Sequence, residues 1–252
     1  MKILILVRSV VDDSTPVALG DEYSQRGCRW VINPFDEVAM EGAVQLKKQW
    51  AHPCELIAVG YNDEPGRTVL ERALAIGADQ AIALAAITPA LSDAPLVHAT
   101  TLQPLLQALT QQLQPDLVLM GAMAFGQEQG EVAPMLAGAL GWPCAVAVSQ
   151  LAVAPSTPGL LSIEQRRPTL NYQARISLPA VLSCALDWVS PRYITLPALV
   201  MAKQKPKAIW SGPAAVTAPT CRWQSGMSSK PSKQPLQSVE ELVDVLQAGG
   251  WL

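Results

Sequence analysis

The chain has 252 residues, half of them hydrophobic, with 18 Lys+Arg against 21 Asp+Glu and a formal net charge of −3. That length can bury a core as one large domain or two small ones, and the apolar content excludes global disorder. Charged residues make up only 15%, against about 25% in an average domain. Part of the surface is therefore expected to lie against a partner, and the mild acidity argues against nucleic-acid binding, which favours a basic stripe.

From the N-terminus, Lys2–Val7 is a strand candidate, and Met1–Arg8 meets a charge too early for a signal peptide. Further strands are expected over Glu55–Val59, Gln80–Leu84, Asp116–Met120 and Cys144–Val148. Their nearly continuous apolar character suits parallel strands covered on both faces. Helices fall between them. One opens at Asn33-Pro34, where Asn can cap and Pro suits the first position, with Val38, Ala39, Ala43 and Leu46 inward and Lys47 and Lys48 in the last turn. Others run from about Pro65 to Ile76, from Thr100 to Leu113, and from Val132 to Leu140, closed by Gly141. Strand–helix alternation of this kind predicts an α/β fold, a doubly wound, mostly parallel sheet with helices on both faces.

No charge occurs between Val132 and Ile163, but Gly141-Trp142-Pro143 interrupts the stretch. A helix, a turn and a buried strand are expected there rather than a membrane span. Leu160–Ile163 and Leu170–Leu178 read as a hairpin-like extension of the sheet, and Pro179–Leu182 as another central strand. A short helix follows near Leu196–Ala202. Residues 204–237 are rich in Pro, Ser and Lys and read as an extended arm. Ser238-Val239-Glu240-Glu241 is a capping box that opens a last short helix, ended by Gly249-Gly250. The expected division is a domain over 1–203 and an arm over 204–252.

Cys28, Cys54, Cys144, Cys184 and Cys221 include no C-x-x-C pair, so buried thiols in the reducing cytoplasm are expected. His52 and His98 stand beside no carboxylate. No metal site and no histidine-based triad is predicted. No G-x-G-x-x-G, Walker A, G-x-S-x-G or kinase signature occurs, so nothing marks a self-contained enzyme. Ligands of open α/β sheets bind beyond the strands' carboxyl ends. The edges there are Arg8–Asp13, Asn33–Asp36, Gly60–Gly66 and Gly121–Gly130, the last leading into a helix start that can cradle phosphate. Such a loop is also ordinary in any βα connection.

Several segments, taken in order, resemble one family. They are Asn33-Pro34-Phe35-Asp36-Glu37-Val38-Ala39, Arg72-Ala73-Leu74-Ala75-Ile76-Gly77-Ala78-Asp79, Asp116-Leu117-Val118-Leu119-Met120-Gly121, Leu140-Gly141-Trp142-Pro143, Leu178-Pro179-Ala180-Val181, and Pro191-Arg192-Tyr193-Ile194-Thr195-Leu196-Pro197 with Met201-Ala202-Lys203. The set resembles the beta subunit of electron-transfer flavoprotein, including its diverged bacterial relatives. The resemblance implies an alpha–beta heterodimer that passes electrons from flavin dehydrogenases to a quinone reductase or another acceptor. It implies an electron carrier, not a catalyst on its own. FAD would be carried mainly by the alpha subunit, and this subunit would bury AMP or a second FAD.

By position, the resemblance assigns the adenine nucleotide to Leu6, Asn33, Pro34, Phe35, Asp36 and Tyr61. It adds the loop Ala124, Phe125, Gly126, Gln127, Glu128, Gln129 and Gly130, and the helix start Glu131, Val132, Ala133, Pro134 and Met135. Tyr193, Leu196, Pro197 and Lys203 would dock the dehydrogenase, with Lys205 and Lys207 adding to a positive rim. The other reading of Leu196 is core packing.

The sequence departs from the family pattern at Glu131-Val132-Ala133, where an amide usually opens the phosphate-facing helix, and at Gln165-Arg166-Arg167, where acidic residues are usual. Asp12-Asp13 lacks an aromatic. Glu131 beside a phosphate predicts weaker nucleotide binding: like charges about 4 Å apart cost about 4 kcal/mol at an effective dielectric near 20. Two alternatives remain. One is an adenine-nucleotide-binding enzyme or sensor on a related sheet, which would need a Ser-Gly-Gly or Gly-rich loop. The other is a structural subunit that has lost its nucleotide. Among the tryptophans, Trp142 is expected in the core, and Trp210, Trp223 and Trp251 against the alpha subunit, with self-packing as the alternative.

Overall fold

A computed structural model describes residues 1–14, 29–85, 97–125, 130–153, 159–212 and 236–251. In chain order the elements are β1 (Lys2–Leu6), β2 (Ser9–Val11), β3 (Trp30–Ile32), α1 (Pro34–Gln49), β4 (Glu55–Tyr61), α2 (Glu64–Ile76), β5 (Gln80–Leu84), α3 (Ala99–Leu113), β6 (Leu117–Gly121) and α4 (Val132–Leu140). They continue with β7 (Cys144–Val148), β8 (Gln150–Val153), β9 (Leu160–Arg166), β10 (Asn171–Ser177), β11 (Ala180–Cys184), α5 (Leu196–Ala202), β12 (Lys207–Trp210) and α6 (Val239–Ala248).

Seven strands form one sheet in the order β12-β5-β4-β1-β6-β11-β7. Every neighbouring pair is parallel. Successive side chains of β1 point to opposite faces. Ile3 and Ile5 join one buried cluster with Ala39, Leu46 and Leu74 from α1 and α2; Leu4 and Leu6 join another with Leu102, Leu106 and Leu136 from α3 and α4. This is the doubly wound α/β arrangement expected from the sequence. From β1 the chain moves outward through β4 and β5, then returns to place β6 on the other side of β1. The crevice of an open sheet opens at such a reversal.

Three local expectations are corrected. The hairpin β9–β10 does not extend the main sheet; with β8 it makes a separate three-stranded antiparallel sheet. Its alternation explains why. Leu151, Leu161, Ile163 and Ile176 face the core from one side only, whereas main-sheet strands are apolar on both faces. Second, Lys207–Trp210, within the segment read as irregular, forms the edge strand β12 along β5. Its apolar run, Ala208–Trp210, is only three residues long and largely exposed, too short to read as a strand. Third, the short antiparallel pair β2–β3 was not foreseen.

The charge-free stretch resolves into α4, a left-handed Gly141 (φ 67°), β7 and β8. No helix among the described residues is long and apolar enough to cross a membrane. Cys54, Cys144 and Cys184 are unpaired, and Cys144 is exposed rather than buried. Cys28 and Cys221 lie outside the described residues, as do 213–235 of the arm with Trp223. Residues Arg222–Leu252 form a separate unit. In it Ser238 Oγ accepts from the Glu241 N–H at 3.2 Å, the capping contact the sequence predicts for α6.

Candidate functional site

The carboxyl ends of β1, β4 and β6 bring Leu6, Tyr61 and Gly121 to one edge of the sheet, beside the start of α1. Pro34 stands at the first position of α1, and the Asn33 carbonyl accepts the Asp36 and Glu37 N–H groups, both at 2.9 Å. The Asn33 side chain does not cap the helix as expected. Instead its Nδ2 donates to the Met123 carbonyl at 2.9 Å and its Oδ1 accepts from the Phe125 N–H at 3.1 Å. One fully buried amide thus clips the loop after β6 to the start of α1.

Asp36, also fully buried, accepts the Arg8 N–H at 2.9 Å, Arg8 Nε and Nη2 at 2.8 Å each, and the Gly121 N–H at 2.7 Å. Arg8 Nη2 also donates to the Met123 carbonyl at 3.1 Å. Four donors saturate a carboxylate, so Asp36 holds β1, α1 and the β6 loop together. Burial works against the Arg8 charge, but the charge and hydrogen bonds of Asp36 outweigh it and the guanidinium pKa is raised. A Cβ at Gly121 would stand 2.6 Å from the Phe35 carbonyl carbon and 2.7 Å from Asp36 Oδ1, so only glycine fits. Burial pushes the Tyr61 phenol well above its ordinary value.

Across the crevice, α4 begins at Val132, after Glu131. Its first internal hydrogen bond runs from the Met135 N–H to the Glu131 carbonyl at 3.0 Å. The helix leaves the N–H groups of Glu131, Val132 and Ala133 without intrahelical acceptors, and Pro134 has none to offer. Unpaired N–H groups at a helix start, with the dipole behind them, are the kind of donor that favours an anion. The half-buried Glu131 side chain does not cap the helix and makes no ion pair among the described residues. Ala124 is buried and Phe125 exposed; Pro34 is exposed and Phe35 half-buried. Gly126, Gln127, Glu128 and Gln129 lie outside the described residues. No metal-holding group of His, Cys, Asp or Glu exists among the described residues.

A second feature lies on the α1 and α2 side. Tyr193 is 90% exposed and Leu196 73%, with Pro197, Val200, Met201 and Lys203 also exposed. Leu196 thus does not pack into the core. Thr195 Oγ1 accepts the Ala198 N–H at 3.4 Å and caps α5, while Ala202 is buried. Lys205 and Lys207 do not form the free rim expected of them. Lys205 Nζ donates to the Leu74 and Ala78 carbonyls at 2.8 and 2.6 Å, and Lys207 pairs with Glu71 at 2.6 Å.

Glu41 and Arg192 were missed by sequence reasoning, because the partners stand 151 positions apart. So was Arg8 as the partner of Asp36; a lone Arg directly after an apolar strand was the available signal. Trp210 is self-packed, donating from Nε1 to Gln112 Oε1 at 2.8 Å, and Trp142 packs on the core beside α4. Trp251 is 80% exposed.

The fold is an open α/β domain with the start of a helix beside its switch point and an exposed apolar ledge. Residues 23–214 match the family described as electron transfer flavoprotein domain. The chain is 30% identical over 216 residues to the electron transfer flavoprotein subunit beta of Syntrophomonas wolfei, covering 85% of this chain and 81% of the relative. It is 30% identical over 213 residues to the human subunit beta (81% and 79% covered) and 26% identical over 255 residues to that of Dictyostelium discoideum (98% and 97%). The chain belongs to the electron transfer flavoprotein beta-subunit family.

Proposed function

We propose that this chain is the beta subunit of a cytoplasmic alpha–beta electron transfer flavoprotein, taking electrons from a flavin dehydrogenase and passing them to a quinone reductase or another acceptor. The observation that carries the reading is the switch-point crevice, where Arg8, Asn33 and Asp36 fix the β6 loop opposite the α4 helix start. The donor set fits a nucleotide phosphate. Three backbone N–H groups converge at Glu131–Ala133, where AMP or the AMP half of a second FAD would place its anion. Pro34, Phe35 and Phe125 would flank the base and sugar. The flavin, carried mainly on the alpha subunit, supplies the redox chemistry when bound. This chain orients the complex and offers Tyr193, Leu196, Pro197 and Lys203 to the dehydrogenase.

Glu131 is the dissonant group, since its carboxylate shares the helix start with the anion. Its presence also favours a second reading, a structural subunit without nucleotide. Co-expression with the alpha subunit is expected to give a yellow one-to-one complex that releases an adenine nucleotide on denaturation. Glu131→Gln is expected to tighten AMP binding about tenfold, by removing one like charge. A complex that releases no nucleotide, and binds none after Glu131→Gln, would establish the second reading.

A further inference from the structure

We propose that Glu41 is a positioning residue for partner docking: its carboxylate grips Arg192 at two points and presets the exposed ledge that carries Tyr193 and Leu196. The inference rests on the docking role proposed above. Glu41 sits in the second turn of α1 and is 4% exposed. A carboxylate so placed is costly unless paired. Its partner arrives from the far end of the domain. Arg192 Nε reaches Oε2 at 2.5 Å and Nη2 reaches Oε1 at 2.8 Å, while Gln45 Nε2 adds a third donor at 3.3 Å. A fork-to-fork pair fixes direction as well as distance.

Arg192 directly precedes Tyr193, and Ile194 tucks against the core. At the far end Lys205 is tied to the Leu74 carbonyl of α2 and to the Ala78 carbonyl just beyond it. The chain between these ties leaves Tyr193, Leu196, Val200 and Met201 exposed. With both ends held, the entropy of ordering the ledge is lost on folding rather than on docking. Loosening one end should weaken the encounter and leave the flavin untouched.

The test uses the alpha–beta complex, a substrate-reduced flavin dehydrogenase as donor, and dithionite as a small donor that needs no docking. In Glu41→Gln, KM for the dehydrogenase should rise about tenfold, with kcat and dithionite reduction nearly unchanged. Amide hydrogen exchange over residues 193–201 should quicken about tenfold or more, with flavin content kept. Arg192→Lys keeps the charge but loses the fork, and should give the same KM rise; it also serves if Glu41→Gln folds poorly. Unchanged exchange in both variants overturns the clamp, whatever docks there. Faster exchange with unchanged KM, while Leu196→Ala raises KM, overturns the positioning role alone. If Leu196→Ala also leaves KM unchanged, the docking reading fails and the inference fails with it. Arg192→Lys behaving as the parent overturns the two-point grip.

Discussion

The crevice and the ledge are held in opposite ways. At the crevice Arg8, Asn33 and Asp36 are buried, and their side chains are joined to one another's backbone or to the loop after β6. These bonds tie the ends of β1 and β6 to the start of α1. At the ledge large apolar side chains face water, and Arg192 and Lys205 tie its two ends to the rest of the domain. Buried polar groups here set geometry, while exposed apolar area stays available to a partner. A substitution in the first region should therefore register as lost stability, and one in the second as lost partner affinity.

Asp36→Ala should break this contrast most severely. It leaves the Arg8 guanidinium buried without its carboxylate, which costs about 3–5 kcal/mol, visible as a large fall in melting temperature of the complex. A fall no larger than that of an exposed substitution would mean the network is dispensable. Gly121→Ala forces a Cβ against Phe35 and Asp36 and should cost about 1–3 kcal/mol, read by denaturant unfolding.

The ledge clamp sharpens the comparison through pH. Burial raises the Glu41 carboxyl, but hydrogen bonds from Arg192 and Gln45 and the guanidinium charge more than offset it, so its pKa lies below the ordinary 4.5. For a carboxyl depressed in the folded state, the stabilisation is present above the unfolded value and is lost as pH falls through the folded one. Exchange over residues 193–201 should therefore quicken as pH drops below 4.5, beyond the intrinsic trend of the amides, and Glu41→Gln should abolish that excess.

Much of the fold was legible because its strands are apolar on both faces and its helices carry plain stop signals at Gly77 and Gly141. The edge strand β12 was not, since it gains its pairing from β5 and not from its own composition. The crevice was only half legible. Asn33 and Asp36 stand out in their segment, but what they bond depends on Arg8, Gly121 and Met123, which only the parallel register brings near. Glu41 reads as one more polar residue of a helix until Arg192 closes on it from 151 positions away.

The docking role of the ledge is most directly tested by Leu196→Ala in the alpha–beta complex, measuring the rate of electron transfer from a reduced flavin dehydrogenase beside melting temperature and flavin content. Leu196 is 73% exposed, and surface changes of this kind stay within about 0.5 kcal/mol in stability. The expected result is slower transfer with an unchanged melting temperature and full flavin. A clear fall in melting temperature with no kinetic defect specific to the dehydrogenase would contradict it.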